Sequence, residues 1–421
     1  MIHNSFYFVL GRENKISQTE LECVLASFDF GFSPANISIL SDQVLEIKLE
    51  ASSDQVKKLI EILGGTVKIF QKIAPANEKI ENLLLAEDKS SKIIFGLSNY
   101  SVAKVDTFRM ALSAKKAAKK SIRIIDGKEG GRLSSAQSFQ YKMDIDNVEY
   151  GLFETGIGKL IAVQNINEWT RHDYGKPKSD AKSGMLPPKL ARMMVNLAVG
   201  QVNDETRINN DEDSGSSFLI RHSGLRPLVV DPFCGSGNVL IEAVSVGCNV
   251  VGSDLSEKAV SDTKENLEWF LKSVIPDPVG DPLIVDSRLC GNDIVVADAA
   301  KFDFSDIKED FIIATEPFLG QPRTSKLRIE EEAEAKSEIT QLYMDFLRNL
   351  KLTANSQKLK AIAIVFPLFE LANGKKLSIF NDCVDFIRDI GYTTVCPPLE
   401  YGRDYQVVKR QIVILKLSAD S

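Results

Sequence analysis

The feature that most constrains the fold is a short apolar run that ends in an acidic residue and a glycine-rich turn. Residues 228–240 read Leu-Val-Val-Asp-Pro-Phe-Cys-Gly-Ser-Gly-Asn-Val-Leu. This pattern predicts a buried strand ending at Asp231, a tight loop, and a helix that begins at once. Gly235 and Gly237 lack a Cβ atom, so the backbone there can turn sharply and approach a ligand. The free N–H groups of the new helix favour anionic or polar ligand groups.

A second predicted strand, residues 248–254, ends in Asp254, which lies 23 residues after Asp231. A carboxylate at this place suits a ribose diol because it accepts two hydroxyl hydrogen bonds. The nicotinamide fingerprint needs a third glycine three residues after the second, and Leu240 occupies that place, which argues against NAD. The chain has no G-x-x-x-x-G-K-[ST] motif, so a nucleoside triphosphate is also disfavoured.

The segment 231–238, Asp-Pro-Phe-Cys-Gly-Ser-Gly-Asn, resembles motif I of class I S-adenosylmethionine (SAM) methyltransferases, above all those that methylate amines. This resemblance implies that the loop holds the methionine part of SAM and that Asp254 holds the ribose. Residues 295–299, Val-Val-Ala-Asp-Ala, resemble the end of the family's third strand, whose Asp binds the adenine edge. The cofactor-binding residues expected on this resemblance are Asp231, Phe233, Gly235, Gly237, Asn238, Asp254 and Asp298.

A second motif follows the apolar run 311–315, where the chain reads Glu316-Pro317-Phe318-Leu-Gly. Amino methyltransferases carry Asp/Asn-Pro-Pro-Tyr/Phe at the end of the fourth strand, and the segment resembles that motif. The resemblance implies that Glu316 and the backbone at Pro317 orient an exocyclic amine while Phe318 stacks on the base. Hydrogen bonds to the amine turn its lone pair toward the methyl group, and stacking holds the base in line.

The motif departs from the family pattern. Aligned without gaps to Thr-Asp-Pro-Pro-Tyr-Gly, Glu316 replaces Asp, Phe318 replaces the second Pro, and Leu319 stands at the aromatic position. Either Phe318 stacks with altered geometry, or the base is held differently. Glu is one methylene longer than Asp, so the target atom is expected to lie farther away. A degenerate motif in an inactive relative is the remaining alternative.

A chain of 421 residues is too long for one hydrophobic core. The fold class expected is α/β, with a Rossmann-like class I methyltransferase domain that contains a seven-stranded sheet whose last hairpin is antiparallel. The predicted domains are a ferredoxin-like α+β domain at 1–78, a THUMP-like RNA-binding domain at 79–168, a linker at 169–183 and the SAM-dependent methyltransferase domain at 184–421. The proline- and glycine-containing run 275–293 looks like an insertion.

Local signals support the N-terminal part of this division. The segment 17–20, Ser-Gln-Thr-Glu, predicts a capping box at a helix start, and a second capped helix is predicted from Ser52. The order predicted for the first 75 residues is β-α-β-β-α-β. Residues 133–137, Leu-Ser-Ser-Ala-Gln, resemble the Leu-Ser-x-Ala-Gln segment of THUMP domains, which bind RNA in tRNA-modifying enzymes.

The stretch 184–198 resembles the segment before motif I in THUMP-linked guanosine N2-methyltransferases, the enzymes that methylate the guanine at position ten of tRNA. Charge agrees with a local RNA contact, although a solvated basic face explains it equally well. The whole chain carries a net charge of −7, but residues 89–182 hold 17 Lys and Arg against 10 Asp and Glu. This segment is therefore +7 and the remainder is −14.

Several classes are disfavoured. No run of about 18 apolar residues occurs, so we expect no membrane span. The N-terminus lacks the features of a signal peptide. Six cysteines without a C-x-x-C pair indicate free thiols in a reducing compartment, hence the cytoplasm. With three His residues and no clustered Cys, no metal site is expected. A protein partner is not indicated.

Together these observations predict a SAM-dependent RNA methyltransferase that acts on the exocyclic N2 amine of a guanine in tRNA. The alternatives are an N-methyltransferase acting on a ribosomal RNA guanine or a DNA adenine, and a non-catalytic RNA-binding relative with a vestigial SAM fold.

Overall fold

The computed structural model describes residues 4–87, 93–118, 121–127, 130–179, 185–202, 228–274, 294–403 and 405–418. The chain forms two compact units, Met1–Thr170 and Arg171–Ser421. The insertion predicted at 275–293 lies outside the described residues. None of the helices in the described ranges is long and apolar enough to cross a membrane.

The N-terminal unit is built on one mixed sheet. Its strands are β1 (Asn4–Leu10), β2 (Ile37–Ser41), β3 (Val44–Leu49), β4 (Thr66–Ala74), β5 (Ile93–Asn99), β6 (Ile122–Ile125), β7 (Val148–Phe153) and β8 (Gly156–Val163). Its helices are α1 (Asn14–Ala26), α2 (Ser53–Ile62), α3 (Ile80–Ala86), α4 (Thr107–Ala118) and α5 (Ser135–Gln140), and α6 (Ile166–Tyr174) runs across the boundary between the units.

The eight strands have the order β2-β3-β1-β4-β8-β7-β5-β6. From β1 to β4 the elements follow the order β-α-β-β-α-β. The antiparallel pairing of β4 with β8 joins the first four strands to the last four in one sheet. The division at residue 78 and the ferredoxin-like and THUMP assignments stay predictions, because the shared sheet crosses that boundary without a break.

The two predicted capped helices have different outcomes. Ser52 caps α2 and forms a capping box with Gln55, as the sequence predicts. Helix α1 begins at Asn14, so the capping box predicted at Ser17 is wrong. Ser17 lies inside the helix, and its hydroxyl donates to the backbone carbonyl of Glu13 at 2.8 Å.

The segment 133–137 has a structural role inside the N-terminal unit. Ser134 caps α5 and forms a capping box with Gln137. The carbonyl of Leu133 accepts a hydrogen bond from the Lys68 ammonium at 2.8 Å, and the same ammonium lies 2.6 Å from the buried Glu149 carboxylate. The polar groups of this segment therefore serve the packing of the unit, whatever contacts its surface makes.

The Lys68–Glu149 pair generates the first prediction. Lys68 is 1% exposed and Glu149 is fully buried, so K68M leaves a buried carboxylate without its counter-ion. We expect a loss of roughly 3–5 kcal/mol in the free energy of unfolding, measured by urea denaturation. The control K57M removes an exposed ion pair with Asp54 and should cost under about 1 kcal/mol. Equal losses for the two variants would contradict this account.

The C-terminal unit is an α/β structure around a second sheet. Its strands are β9 (Leu228–Asp231), β10 (Asn249–Asp254), β11 (Ile294–Val296), β12 (Phe311–Thr315), β13 (Leu359–Glu370), β14 (Lys376–Ser378), β15 (Tyr392–Thr394), β16 (Leu399–Tyr401) and β17 (Val408–Leu417). Its helices are α7 (Pro188–Val199), α8 (Asn238–Ser245), α9 (Glu257–Val274), α10 (Ile329–Thr353) and α11 (Ile379–Asp389).

Seven strands lie on the main path of this sheet, in the order β11-β10-β9-β12-β13-β17-β15. The short strands β14 and β16 pair outside it, with β13 and β17, which gives nine strands among the described residues, two more than predicted. Strands β9 to β13 are parallel, whereas β17 is antiparallel to both β13 and β15. The hydrophobic core includes Phe346 and Tyr343 of α10, Phe366 of β13 and Cys383 of α11.

Candidate active site

The carboxyl ends of the parallel strands β9 to β13 meet at one edge of the C-terminal sheet. Strand β9 pairs with β10 on one side and with β12 on the other, and Val230 is opposite Val251 and Ile313. The chain moves outward from β9 first in one direction and then in the other. A crevice opens at such a reversal in α/β sheets, outside the carboxyl ends of the strands. The predicted residues Asp231 and Asp254 end β9 and β10.

The glycine loop after β9 has the predicted backbone freedom. Gly235 and Gly237 adopt φ angles of 54° and 84°, in the left-handed region that disfavours side chains. A Cβ atom at Gly237 would lie 3.0 Å from Thr263 Cγ2, whereas one at Gly235 would meet nothing within 4 Å. A side chain at Gly237 would thus be strained by its φ angle and tight against Thr263, whereas Gly235 leaves open space over the loop. Helix α8 begins at Asn238 directly after this turn.

Asp254 holds the glycine loop in place. Its Oδ2 atom accepts a hydrogen bond from the Gly235 N–H at 3.0 Å, and its Oδ1 atom accepts one from the Ser256 N–H at 2.9 Å. The next residue, Leu255, is 74% exposed, and Val296 at the end of β11 is also exposed. Sequence reasoning missed these two apolar side chains, since only their exposure distinguishes them from core residues.

Asp298 lies just past β11, near the end of β10. The backbone N–H of Ala297 donates to the Asp254 carbonyl at 3.0 Å, which ties the two strand ends together. The Asp298 carboxylate accepts from the Ala300 N–H at 3.0 Å and pairs with the Lys301 ammonium at 2.9 Å. The hydrogen bond from Lys301, and then the one from Ala300, lower the pKa of Asp298, so this group is ionised at neutral pH.

Asp231 is almost completely buried at the end of β9. Its Oδ1 atom accepts hydrogen bonds from the Thr315 hydroxyl at 2.6 Å and the Phe233 N–H at 3.1 Å. Burial raises the pKa of Asp231 to about 7, and the nearby carboxylates of Asp254 and Glu316 raise it further against these two hydrogen bonds. The Thr315 bond joins the predicted cofactor loop to the strand that carries the predicted catalytic motif.

Two predicted cofactor-binding residues use their side chains within the protein. The Asn238 amide donates to the Leu186 carbonyl at 2.7 Å, and its oxygen accepts a hydrogen bond from the Lys176 ammonium. The Phe233 ring packs edge to face against Phe346, with ring centroids 5.3 Å apart. Any contact of Asn238 or Phe233 with a cofactor stays a prediction.

The predicted catalytic motif begins directly after β12. Pro317 is buried, whereas Phe318 is 39% exposed. Glu316 forms an ion pair with Arg410 of β17: Nε lies 2.5 Å from Oε1, and Nη2 donates to Oε2 at 3.3 Å. Burial raises the pKa of Glu316, and the positive charge of Arg410 opposes that rise.

Arg410 was not among the residues predicted for the site. Its sequence signal is a cation two residues before the apolar stretch of a strand, in the segment Lys-Arg-Gln-Ile-Val-Ile. Such a position predicts a partly buried charge but does not identify its partner.

A buried polar cluster supports α8 from behind. Glu242 of α8 lies 2.8 Å from His172 Nδ1 of α6 and 2.7 Å from Arg192 Nη2 of α7. All three side chains are buried. His172 belongs to the segment predicted as a linker, so part of that segment is helix α6 and is held in place by this cluster. Within the described ranges, no group of three or more His, Cys, Asp or Glu side chains is arranged to hold a metal ion.

Comparisons with known proteins give partial matches. No protein-family model matches the chain. A tRNA (guanine(10)-N2)-dimethyltransferase of Methanothermobacter thermautotrophicus is 36% identical over 87 residues, which make up 21% of this chain and 19% of that protein. A protein of the same name from Pyrococcus abyssi is 31% identical over 109 residues, or 25% of this chain and 26% of that protein. The chain thus spans only about a fifth to a quarter of the length of these relatives.

Solved structures are similar at lower identity. A structure described as a possible methylase from Clostridium difficile 630 is 13% identical, with a TM-score of 0.46, and the match covers 99% of this chain and 98% of that one. A structure described as a putative methyltransferase complexed with SAH is 11% identical, with a TM-score of 0.45 and 99% coverage of both chains.

The raised pKa of Asp231 generates the second prediction. The unfolded chain loses this proton near its ordinary value of 3.8, whereas the folded protein keeps it until about pH 7. The free energy of unfolding therefore falls as pH rises between these two pKa values, and above the folded-state value the whole loss is present. D231N has no carboxyl to ionise at this position. Its free energy of unfolding should therefore rise relative to that of the wild type between about pH 4 and 8, by up to roughly 4 kcal/mol.

Urea denaturation at a series of pH values measures this difference. The control D385N changes an exposed carboxyl of α11 and should follow the wild-type pH dependence. A D231N curve that runs parallel to wild type would show that the buried carboxyl ionises at its ordinary pH.

Proposed function

We propose that this chain is a SAM-dependent RNA methyltransferase that methylates the exocyclic N2 amine of a guanine in tRNA. The observation that carries the proposal is the convergence, at one sheet edge, of the glycine loop, Asp254 and the Glu316-Pro317-Phe318 motif. The Thr315–Asp231 hydrogen bond links the two halves of this site. The names of the partly matching relatives support the same substrate class.

The residues at the edge fit the parts of SAM. When bound, SAM supplies an electrophilic methyl group on a positively charged sulfur. Asp231 and the loop around Gly235 are proposed to hold the methionine end, because the space over Gly235 is open. Asp254 accepts one backbone N–H on each oxygen, and a carboxylate has further lone pairs for two ribose hydroxyls. Leu255 and Val296 offer exposed apolar surface for a flat adenine ring.

The motif after β12 is proposed to hold the target base. Glu316 and the Pro317 carbonyl accept the two amine N–H bonds, and the exposed Phe318 ring stacks on the guanine. Held in this way, the amine would present its lone pair to the methyl group that a bound SAM would supply from its sulfur. The proton that the amine loses passes to Glu316 and then to water. Positioning and electrostatics supply most of the rate.

The N-terminal unit is proposed to bind the RNA, with residues 79–168 acting as the THUMP-like domain and the enzyme working in the cytoplasm. Two cations of this unit lie over aromatic rings, Arg123 at 5.8 Å from the Tyr141 centroid and Arg132 at 4.9 Å from that of Tyr100. The last turn of α4 carries Lys115 and Lys116. Such side chains suit phosphate contacts, which weaken as salt concentration rises.

One observation favours a second candidate, a non-catalytic RNA-binding relative. Glu316 already forms an ion pair with Arg410. In a non-catalytic protein that pair would serve only to join the end of β12 to β17.

The test uses purified protein, isotope-labelled SAM and unmodified tRNA transcripts, followed by nucleoside mass spectrometry. Labelled N2-methylguanosine is the expected product. Label found only in ribosomal RNA guanine or DNA adenine would show that this nucleic acid, and not tRNA, is the substrate. No label in any nucleic acid, with SAM still bound by calorimetry, would support the non-catalytic candidate.

The third prediction concerns Glu316. E316Q keeps the size of the side chain but removes the negative charge that stabilises the reacting amine. We expect methyl transfer to fall by about 100-fold or more, while SAM affinity measured by calorimetry stays at the wild-type value. The control E268Q changes an exposed helix residue paired with Lys272 and should leave the rate unchanged. Full turnover in E316Q would remove this residue from the proposed mechanism.

The fourth prediction uses two glycines with matched backbones. Gly235 and Gly374 both have positive φ and open space where a Cβ atom would lie, but Gly374 is in the turn between β13 and β14. G235A and G374A should therefore cost similar stability, about 1–2 kcal/mol each. Only G235A should weaken SAM binding in calorimetry, by about tenfold or more, because its methyl group enters the proposed site. Equal SAM affinities in the two variants would show that SAM does not bind against this loop.

A further inference from the structure

We propose that Arg410 is a positioning residue that holds the Glu316 carboxylate charged and in one direction, toward the amine of the target base. This inference rests on the proposed function. It assigns a role to a residue outside both predicted motifs, and it explains how a longer acidic side chain can stand where related motifs carry Asp.

The geometry of the pair restricts Glu316. The guanidinium is planar and engages both carboxylate oxygens, through Nε at 2.5 Å and Nη2 at 3.3 Å. A two-point contact of this kind fixes the plane of the carboxylate as well as its position. Each oxygen keeps a further lone pair, so the carboxylate can still accept an N–H from a substrate. The extra methylene of Glu316 is thereby held in one conformation.

The sheet places Arg410 for this contact. Strand β17 is antiparallel to β13, so its first residues lie at the edge where the parallel strands end. Arg410 is paired with Pro367 of β13 on one side and Tyr401 of β16 on the other. It is 6% exposed, which limits the directions its side chain can take. Glu316 therefore meets a cation whose own position is set by two neighbouring strands.

The charges around Glu316 explain why a cation is needed there. Within the described ranges, the titratable groups that interact with it include Arg410 from β17, Asp231 from β9 and Tyr343 from α10, while Tyr401 interacts with Arg410. Burial raises the pKa of Glu316, and Arg410 is the group that lowers it. Without the guanidinium, the carboxyl would hold its proton to higher pH and would lose its strength as an acceptor.

A purely structural role for Arg410 would change the rate in a different way. If Arg410 only joins β12 to β17, its loss lowers stability and the amount of folded enzyme, and the rate falls by the same factor at every pH. If Arg410 acts through Glu316, the rate depends on whether Glu316 is ionised. The acid side of the pH–rate profile then moves with the pKa of that carboxyl.

The experiment measures kcat for methyl transfer to tRNA against pH in wild type, R410M and R410K. In R410M the acid limb should move up by about one pH unit or more, with part of the rate regained at alkaline pH. In R410K the charge remains but the two-point contact is lost, so the acid limb should stay in place while kcat falls and KM is unchanged. The control R388M removes an exposed pair with Asp385 and should match wild type.

A double variant separates action through Glu316 from an independent effect. E316Q/R410M should be no slower than E316Q alone, because the residue on which Arg410 acts is already neutral. SAM affinity by calorimetry verifies that each variant is folded, and R410K decides the matter if R410M does not fold. An R410M profile that falls equally at all pH values, or an R410K profile with a displaced acid limb and full kcat, overturns the inference.

Failure of the proposed function has a different signature. A wild-type enzyme that transfers no methyl group to any RNA overturns the function and this inference together. An active wild type with an unmoved R410M acid limb overturns only the role of Arg410.

Discussion

The site depends on how the buried carboxyl of Asp231 is satisfied. A polar group at the end of a central strand is costly to bury unless it is hydrogen-bonded or neutral. Asp231 meets this requirement with the Thr315 hydroxyl at 2.6 Å. That bond fixes the end of β12 against the end of β9. The glycine loop and the Glu316 motif consequently share one edge, and a methyl donor and a base bound there would lie close together.

The parts of the fold that follow from local chemistry were predictable from sequence. The apolar residues and two glycines of 228–240 predict a strand, a turn and a helix, and the structure contains all three. The box expected at Ser17 failed for a physical reason. The buried carboxylate of Glu20 accepts the N–H groups of Gly64 and Gly65, more than forty residues away, so its role is tertiary rather than local. A four-residue pattern cannot distinguish these two uses of an acid.

The same limit applies to the site. Asp254 and Glu316 were placed correctly at strand ends, because an acid after an apolar run is a local signal. Arg410 was missed as a site residue because its partner lies 94 residues away, and the pairing exists only once β17 turns back antiparallel to β13. Asn238 shows the reverse case. Its place in the loop pattern predicts a ligand contact, which stays a prediction, and gave no sign that the amide also joins Leu186 and Lys176.

The replacement of Asp by Glu316 in the usual motif and the buried charge of Arg410 have one explanation when they are considered together. A buried carboxylate near the carboxyl of Asp231 is unfavourable, and a short Asp could not reach a cation on the antiparallel strand as easily as Glu does. A longer side chain alone would be less ordered, and a cation alone would have no partner. Burying both charges is costly, and such pairs seldom add stability over an apolar pair. The role proposed for Arg410, which gives the carboxylate its direction and charge, accounts for such a pair at this edge without requiring a contribution to folding.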